Sequence, residues 1–160
     1  MNRTILLFVF GSILLFNAAG AQERGFGLGM IVGEPTGISL KIWQGRTTAI
    51  DGALAWSFVD DFLQIHGDYL KHDFKLIKVE KGQLPFYYGI GGRIRFFNDN
   101  NSGKGQSNDK TRLGVRVPLG LAYLFEKTTL DIFLEVVPIL DLIPETEFDL
   151  NAAIGIRYFF

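Results

Sequence analysis

The stretch FDLNAAIGIRYFF, residues 148 to 160, decides the fold. Every second residue in it is apolar, which is the period of a β-strand. This apolar face consists of Phe148, Leu150, Ala152, Ile154, Ile156, Tyr158 and Phe160. The opposite face is small and polar and carries Asp149 and Arg157. Such a strand suits a barrel that has lipid outside and a polar lumen, so the preceding chain must supply enough similar strands to close a cylinder.

Seven further alternating segments precede this stretch and are separated by turn residues. They are Gly25 to Val32, Ile38 to Trp43, Ala49 to Phe58, Phe62 to about Lys71, Phe86 to Phe96, Arg112 to Phe125 and Leu130 to Leu140. Pro118 and Pro138 fall inside two of these segments, and because proline lacks the ladder donor we expect a bulge or frayed end near each. Residues 72–84 are predicted to form a hairpin with its tip near residues 80–82. The polar residues 98–110 are predicted to form a solvent loop.

Eight strands of about ten residues are long enough to cross an outer membrane when they are tilted. The sequence therefore predicts an all-β protein, an eight-stranded antiparallel up-and-down transmembrane β-barrel. At this strand number side chains fill the interior, so we expect no open pore. Outward aromatic residues near segment ends, such as Tyr88, Phe96 and Tyr123, suit the girdles at the two membrane interfaces.

Residues 1–21 predict a secretory signal peptide. Arg3 is followed by a twelve-residue apolar run, residues 5–16, and by the small-residue cleavage site Ala19-Gly20-Ala21. The run is shorter than the roughly 20 residues that a membrane-spanning helix needs. We therefore expect a signal peptide at 1–21 and an outer-membrane barrel domain at 22–160.

Composition excludes several classes of site. The chain has no cysteine, which excludes disulfides and a thiolate metal site. Its formal net charge is −1 and it has no basic stripe, so no nucleic-acid partner is expected. We predict a monomer with no cofactor.

The inward faces carry charges, and enclosed charges cost several kcal/mol each unless they are paired. Counting back from the turns places Lys41 opposite Asp51. The same counting places Asp68 opposite Arg93. The sequence thus predicts a lumenal charge network made of Lys41, Asp51, Asp68, Arg93, Arg116, Glu135 and Arg157.

The later strands extend this network. Glu135 is predicted to lie diagonal to both Arg116 and Arg157. The counting also brings Arg93 near Arg116, which requires an additional acid or a shifted register.

Four stretches carry a resemblance to a known family. They are GEPTGISLK (33–41), LPFYYGIGGRIRF (84–96), LGVRVPLGLAYLF (113–125) and LDIFLEVVPILDLIPETEFDLNAAIGIRYFF (130–160). They resemble a family of small outer-membrane β-barrel proteins of unknown function, which is similar to the eight-stranded transmembrane domain of OmpA. The resemblance implies this fold, the bacterial outer membrane and its lipid, and a C-terminal signal at Tyr158 and Phe160 read by the barrel-assembly machinery. It implies no catalytic residue and no ligand.

Two other functions fit parts of the sequence. A periplasmic lipocalin-like barrel that binds a small apolar ligand would turn the apolar faces inward. An outer-membrane lipid-modifying enzyme could use Ser57, His66 and Asp68, which the strand pattern places on inward faces of two adjacent strands. His66 with His72 is a weaker metal-binding candidate. Because any small polar lumen produces such coincidences, we predict no catalytic or metal site and a structural or surface-interaction role.

Overall fold

The computed structural model describes residues 25–57, 62–97 and 111–160. Nine antiparallel strands form one sheet: β1 Phe26–Glu34, β2 Thr36–Trp43, β3 Thr48–Ser57, β4 Phe62–Asp73, β5 Phe86–Phe97, β6 Thr111–Arg116, β7 Leu119–Leu124, β8 Leu130–Ile143 and β9 Glu147–Phe159. The all-β prediction is confirmed, and the sixth predicted segment is divided into β6 and β7. The predicted signal peptide at 1–21 and the predicted loop at 98–110 lie outside the described residues.

The sheet closes into a ring. Strands β1 to β5 pair in chain order, β8 pairs with β9, and β9 pairs with β1. Strands β6 and β7 share the place between β5 and β8, because β6 lies opposite residues 91–96 of β5 and β7 lies opposite residues 86–88. The ring therefore has no free edge among the described strands, which is the requirement for a sheet in hydrocarbon.

The break between β6 and β7 lies at Val117 and Pro118, as the proline predicted. Two backbone hydrogen bonds still cross it: Gly89 N donates to Pro118 O at 3.0 Å, and Val117 N donates to Pro138 O at 3.0 Å. The two halves also keep one phase, since Leu113 and Leu119 both face outward.

The bulge or frayed end expected near Pro138 does not lie at the proline itself. Pro138 lies inside β8 and pairs with Leu150 in an unbroken register with β9. In an antiparallel ladder the N–H and C=O of one residue point to the same neighbour. The carbonyl of Pro138 accepts a hydrogen bond from Val117 N. The N–H that proline lacks would therefore also point towards Val117, where the break between β6 and β7 already interrupts the ladder. The register shift occurs instead later on β8, where Asp141 and Ile143 lie opposite the consecutive residues Gly114 and Leu113 of β6.

The wall has its apolar residues outside and its ionic residues inside. Leu150 and Ile154 are 58% and 52% exposed, whereas Arg116 and Arg157 are 1% and 0% exposed. This confirms the predicted facing of the strands and contradicts the lipocalin-like alternative. Among the described residues, no helix has the length and apolar character to cross a membrane.

The barrel has two distinct ends. The terminal end is where β1 begins and β9 ends, and the connections 44–47, 74–85 and 125–129 lie there. The far end holds the opposite connections, including Pro35 between β1 and β2 and residues 144–146 between β8 and β9. The predicted hairpin is the 74–85 connection, in which Gly82 has a φ of +69°, a left-handed conformation that favours glycine.

Candidate functional site in the lumen

The structure buries all seven residues of the predicted charge network inside the ring. Together with six further ionic residues they form three clusters along the barrel axis, which we name the terminal, middle and far clusters. The terminal cluster is Lys41, Asp51, Asp131 and Arg157; the middle cluster is Asp68, Arg116 and Glu135; and the far cluster is Arg93, Arg95, Arg112, Asp141, Glu147 and Asp149.

Arg157 on β9 is the centre of the terminal cluster. Its Nε lies 3.2 Å from Asp131 Oδ1 on the neighbouring strand β8, and its Nη1 pairs with Asp51 Oδ2 on β3. The guanidinium also lies 3.8 Å from the ring centre of Phe133, a cation–π distance. Strands β3 and β9 are not adjacent, so the pair with Asp51 spans the lumen. The sequence also predicted that Glu135 lies near Arg157. Among the described residues, the ion pairs of Arg157 are with Asp51 and Asp131 and do not include Glu135.

Lys41 lies directly opposite Asp51, as predicted. The Asp51 carboxylate nevertheless pairs with Arg157, and Lys41 Nζ lies 2.8 Å from His72 Nε2. Lys41 Nζ also lies 4.6 Å from the ring centre of Trp43 and 5.4 Å from that of Tyr87. The amino group of Lys41 therefore contacts an imidazole nitrogen and two aromatic rings, in addition to lying on the residue opposite Asp51.

The middle cluster is centred on Arg116. Its Nε lies 3.0 Å from Asp68 Oδ1, and its Nη2 lies 3.6 Å from Glu135 Oε1. Tyr87 OH donates a hydrogen bond of 3.0 Å to Glu135 Oε2. The predicted proximity of Glu135 to Arg116 is therefore present.

The predicted pairing of Asp68 with Arg93 is wrong. Asp68 lies opposite Gly91, and Arg93 lies opposite His66. The β4–β5 ladder is centred between residues 79 and 80, one residue before the centre that the sequence suggested. A shift of one residue in the centre moves every cross-strand partner by two, so Asp68 reaches Arg116 instead.

The far cluster contains acids that the sequence reasoning did not assign to the network. Arg93 donates from Nε and Nη2 to the two carboxylate oxygens of Asp141 at 3.0 and 2.8 Å. Arg93 and Arg95 both approach Asp149 Oδ2, at 2.9 and 2.8 Å. Nearer the rim, Arg112 Nη1 lies 2.5 Å from Glu147 Oε2. The surplus of inward arginines was the signal that further acids had to be present.

Neutral side chains complete the far cluster. Arg95 donates to Gln64 Oε1 at 2.9 Å and to Asn151 Oδ1 at 3.2 Å. The guanidinium of Arg95 also lies 4.1 Å from the ring centre of Phe62. These contacts occupy the cross-section of the lumen between β4, β5 and β9.

The three residues considered for hydrolysis do not form a triad. His66 lies opposite Ala53, whereas Ser57 lies opposite Phe62. The four-residue separation along β3 corresponds to roughly 13 Å. His66 contacts Gln64 at 3.0 Å, and Asp68 pairs with Arg116. The strand register therefore keeps Ser57 well apart from His66.

The histidine pair also fails as a metal site. His66 and His72 are six residues apart on β4, a separation of roughly 20 Å. Within the described ranges, no group of three or more His, Cys, Asp or Glu side chains could hold a metal ion.

Aromatic side chains fill the lumen at the terminal end. The ring centres of Trp43 and His72 are 4.5 Å apart, and those of His72 and Tyr87 are 5.3 Å apart. Phe159 points inward beside Gly27, where an added Cβ would lie 2.6 Å from the Phe159 ring. Gly27 therefore provides the space that this ring occupies.

The two residues of the predicted C-terminal signal face outward. Tyr158 and Phe160 are 38% and 40% exposed, and their ring centres lie 4.9 Å apart in an edge-to-face arrangement. Phe160 also lies 6.4 Å from Phe26 on β1. The end of β9 thus presents an aromatic patch on the outer wall.

A family model described as "Protein of unknown function (DUF3996)" matches residues 18–160. The chain belongs to that family. The DUF3996 chain is also similar in structure to the N-terminal β-barrel domain of Pseudomonas aeruginosa OprF, known from a crystal structure. The TM-score is 0.63 at 14% sequence identity, and the match covers 84% of this chain and 95% of that domain. No curated protein matches the chain. The comparisons confirm the OmpA-like barrel class and the family of unknown function that the sequence predicted.

Proposed function

We propose that this chain is an outer-membrane β-barrel protein of eight wall strands, with β6 and β7 as two halves of one strand. The observation that carries the proposal is the inverted burial, with Ile154 52% exposed and Arg157 0% exposed. In water this arrangement would expose a large apolar surface and enclose charges at a cost. In a bilayer the same apolar surface contacts acyl chains, and the closed ring leaves no strand edge unpaired.

The proposed location is the bacterial outer membrane, and the proposed partners follow from it. The outer wall contacts membrane lipid, and the barrel-assembly machinery reads Tyr158 and Phe160 during biogenesis. Residues 1–21 act as the cleaved signal peptide. The barrel works as a monomer, with no cofactor and no nucleic acid.

We propose a structural or surface-interaction role without catalysis and without an open pore. The three clusters and the aromatic residues at the terminal end support a filled lumen. Arg93, Arg116, Arg157 and Lys41 are each no more than 2% exposed, so neighbouring side chains leave these large groups almost no contact with solvent. The register that separates Ser57 from His66 supports the absence of a hydrolytic centre.

Cell fractionation with a gel of heated and unheated samples tests the membrane assignment. The protein is expected in the outer-membrane fraction. On the gel, heated and unheated samples are expected to migrate differently, because a folded barrel resists unfolding by the detergent until it is heated. Recovery in the soluble periplasmic fraction, with identical migration of both samples, would contradict the proposal.

Planar-bilayer recording tests the filled lumen independently. Purified protein is expected to show no large, steady conductance. A continuous ohmic current through the wild-type barrel would contradict the filled lumen while leaving the membrane assignment intact.

A further inference from the structure

The connection 74–85 at the terminal end is fixed at both of its ends. Its first residue, Phe74, packs with its ring centre 6.3 Å from those of Trp43 and of His72. Its returning part is held on β7, where Tyr123 OH donates to Lys81 O at 3.0 Å. Gln83 and Leu124 exchange backbone hydrogen bonds of 3.0 and 2.8 Å. Residues 75–80 are therefore anchored to the barrel on both sides.

This segment combines exposed lysines with exposed apolar side chains. Leu76 is 65% exposed and Val79 is 37% exposed, although both lie outside the strands that form the apolar wall. Lys75 and Lys78 are also exposed and have the same three-residue spacing. Basic and apolar groups interleaved in this way are typical of surfaces that bind at a membrane interface.

Among the described residues, the exposed charged side chains differ between the two ends of the barrel. The described part of the terminal end exposes six basic side chains and three acidic ones: Arg46, Lys71, Lys75, Lys78, Lys81 and Lys127 against Asp73, Glu80 and Glu126. In the part of the far end that the structure describes, Glu145 and Glu147 are exposed. A surface with an excess of positive charge attracts anionic headgroups.

Lys71 marks the depth at which these headgroups would lie. It follows Tyr69 on the outer face of β4 and sits opposite Tyr88 of β5. Tyr69 and Tyr88 are 53% and 44% exposed, and tyrosines on a barrel wall favour the headgroup level. Residues 75–80 come after Lys71 at this end, so their lysines lie at or beyond the same level.

We infer that residues 75–80, together with Lys71, bind the headgroups of anionic phospholipids in the leaflet at the terminal end. Lys75 and Lys78 supply the charge, and Leu76 and Val79 supply the apolar contact. The inference rests on the proposed function, because it requires the barrel wall to be inserted in a bilayer. Each lysine near an anionic surface is expected to increase lipid association roughly fivefold.

Native mass spectrometry of the purified full-length mature barrel, mixed with equimolar phosphatidylglycerol and phosphatidylcholine, tests this inference. The wild type is expected to retain roughly tenfold or more phosphatidylglycerol than phosphatidylcholine, because two lysines contribute to the attraction. The variant with Lys75→Gln and Lys78→Gln is expected to lose most of that preference. The matched control with Lys75→Arg and Lys78→Arg is expected to keep it, because the charge is unchanged.

Two outcomes would overturn the inference: equal retention of both lipids by the wild type, or an unchanged preference in the glutamine variant. All variants are first tested for heat-dependent gel migration and for flotation with phosphatidylcholine vesicles, which confirms that they are folded and inserted. Failure of the wild type to float would count against the proposed function. Normal flotation without a headgroup preference would count against the lipid site alone.

Discussion

The two ends of the lumen hold ionic clusters with different access to water. In the terminal cluster the side chains of Arg157 and Asp131 are 0% exposed and that of Asp51 is 9% exposed. In the far cluster the side chains of Asp149, Arg112 and Glu147 are 33%, 31% and 58% exposed. The far cluster also holds a buried pair, since the side chains of Arg93 and Asp141 are 0% and 1% exposed. Its exposed members are therefore the residues farther from that pair.

This difference in burial implies that ion pairs of similar geometry contribute differently to the stability of one barrel. Removing one partner of a buried pair leaves an uncompensated charge in a low dielectric. At an exposed pair, water replaces the lost partner and the pair contributes little. The burial of an ion pair, which depends on its position in the barrel, therefore affects its contribution to stability more than the distance between its nitrogen and oxygen atoms does.

The largest effect is expected at Arg157. Arg157→Met leaves Asp51 and Asp131 without their common cation and should lower the free energy of unfolding by about 3–5 kcal/mol. Urea titration of the folded barrel in detergent micelles, followed by tryptophan emission, measures the change. Adding Asp131→Leu to Arg157→Met should restore most of the stability, because Lys41 and Asp51 then remain as one cation and one anion in the terminal cluster. If this double variant is less stable than the single one, uncompensated charge is not the cause.

An intermediate effect is expected where the terminal end is packed by Phe159. Gly27→Ala places a methyl group against this ring and should cost about 1–3 kcal/mol by overpacking. The same urea titration applies. Combining Gly27→Ala with Phe159→Leu should cost less than the sum of the two single changes, because the smaller side chain vacates the space. Additive costs would show that Gly27 is not needed for the ring.

The smallest effect is expected at the rim of the far end. Glu147→Gln removes an ion pair whose acid is more than half exposed, and it should change stability by no more than about 1 kcal/mol. Raising the salt concentration to 1 M should remove even this difference, since screening then acts within about 3 Å. A loss as large as that of Arg157→Met would contradict the contrast between the ends.

The strands and their facing could be predicted from the sequence because both depend on local period. Every second residue of the last strand is apolar, and the structure exposes that face from Phe148 to Phe160. The hairpin register of Lys41 with Asp51 was also predicted, since the turn between their strands is short. The β4–β5 register was not, because a twelve-residue connection leaves its centre undetermined.

The ion pairs across the lumen could not be predicted in the same way. Arg157 on β9 reaches Asp51 on β3, and Arg93 on β5 reaches Asp149 on β9. In both cases the strands are not neighbours in the sheet, so their contact depends on closure of the ring and on side-chain length. Only the need for additional acids near the inward arginines was visible in the sequence.

The interruption at Val117 and Pro118 is two residues long. Because two is an even number, the alternation of inward and outward side chains continues in the same phase from β6 into β7. Loss of Val117 alone would reverse the odd and even positions of β7, turning Gly120 and Ala122 towards the outside of the wall and Leu121 towards the lumen. Loss of both residues would shorten the wall and leave each surviving side chain on its own side. The barrel can therefore tolerate length changes at this point in pairs but not singly.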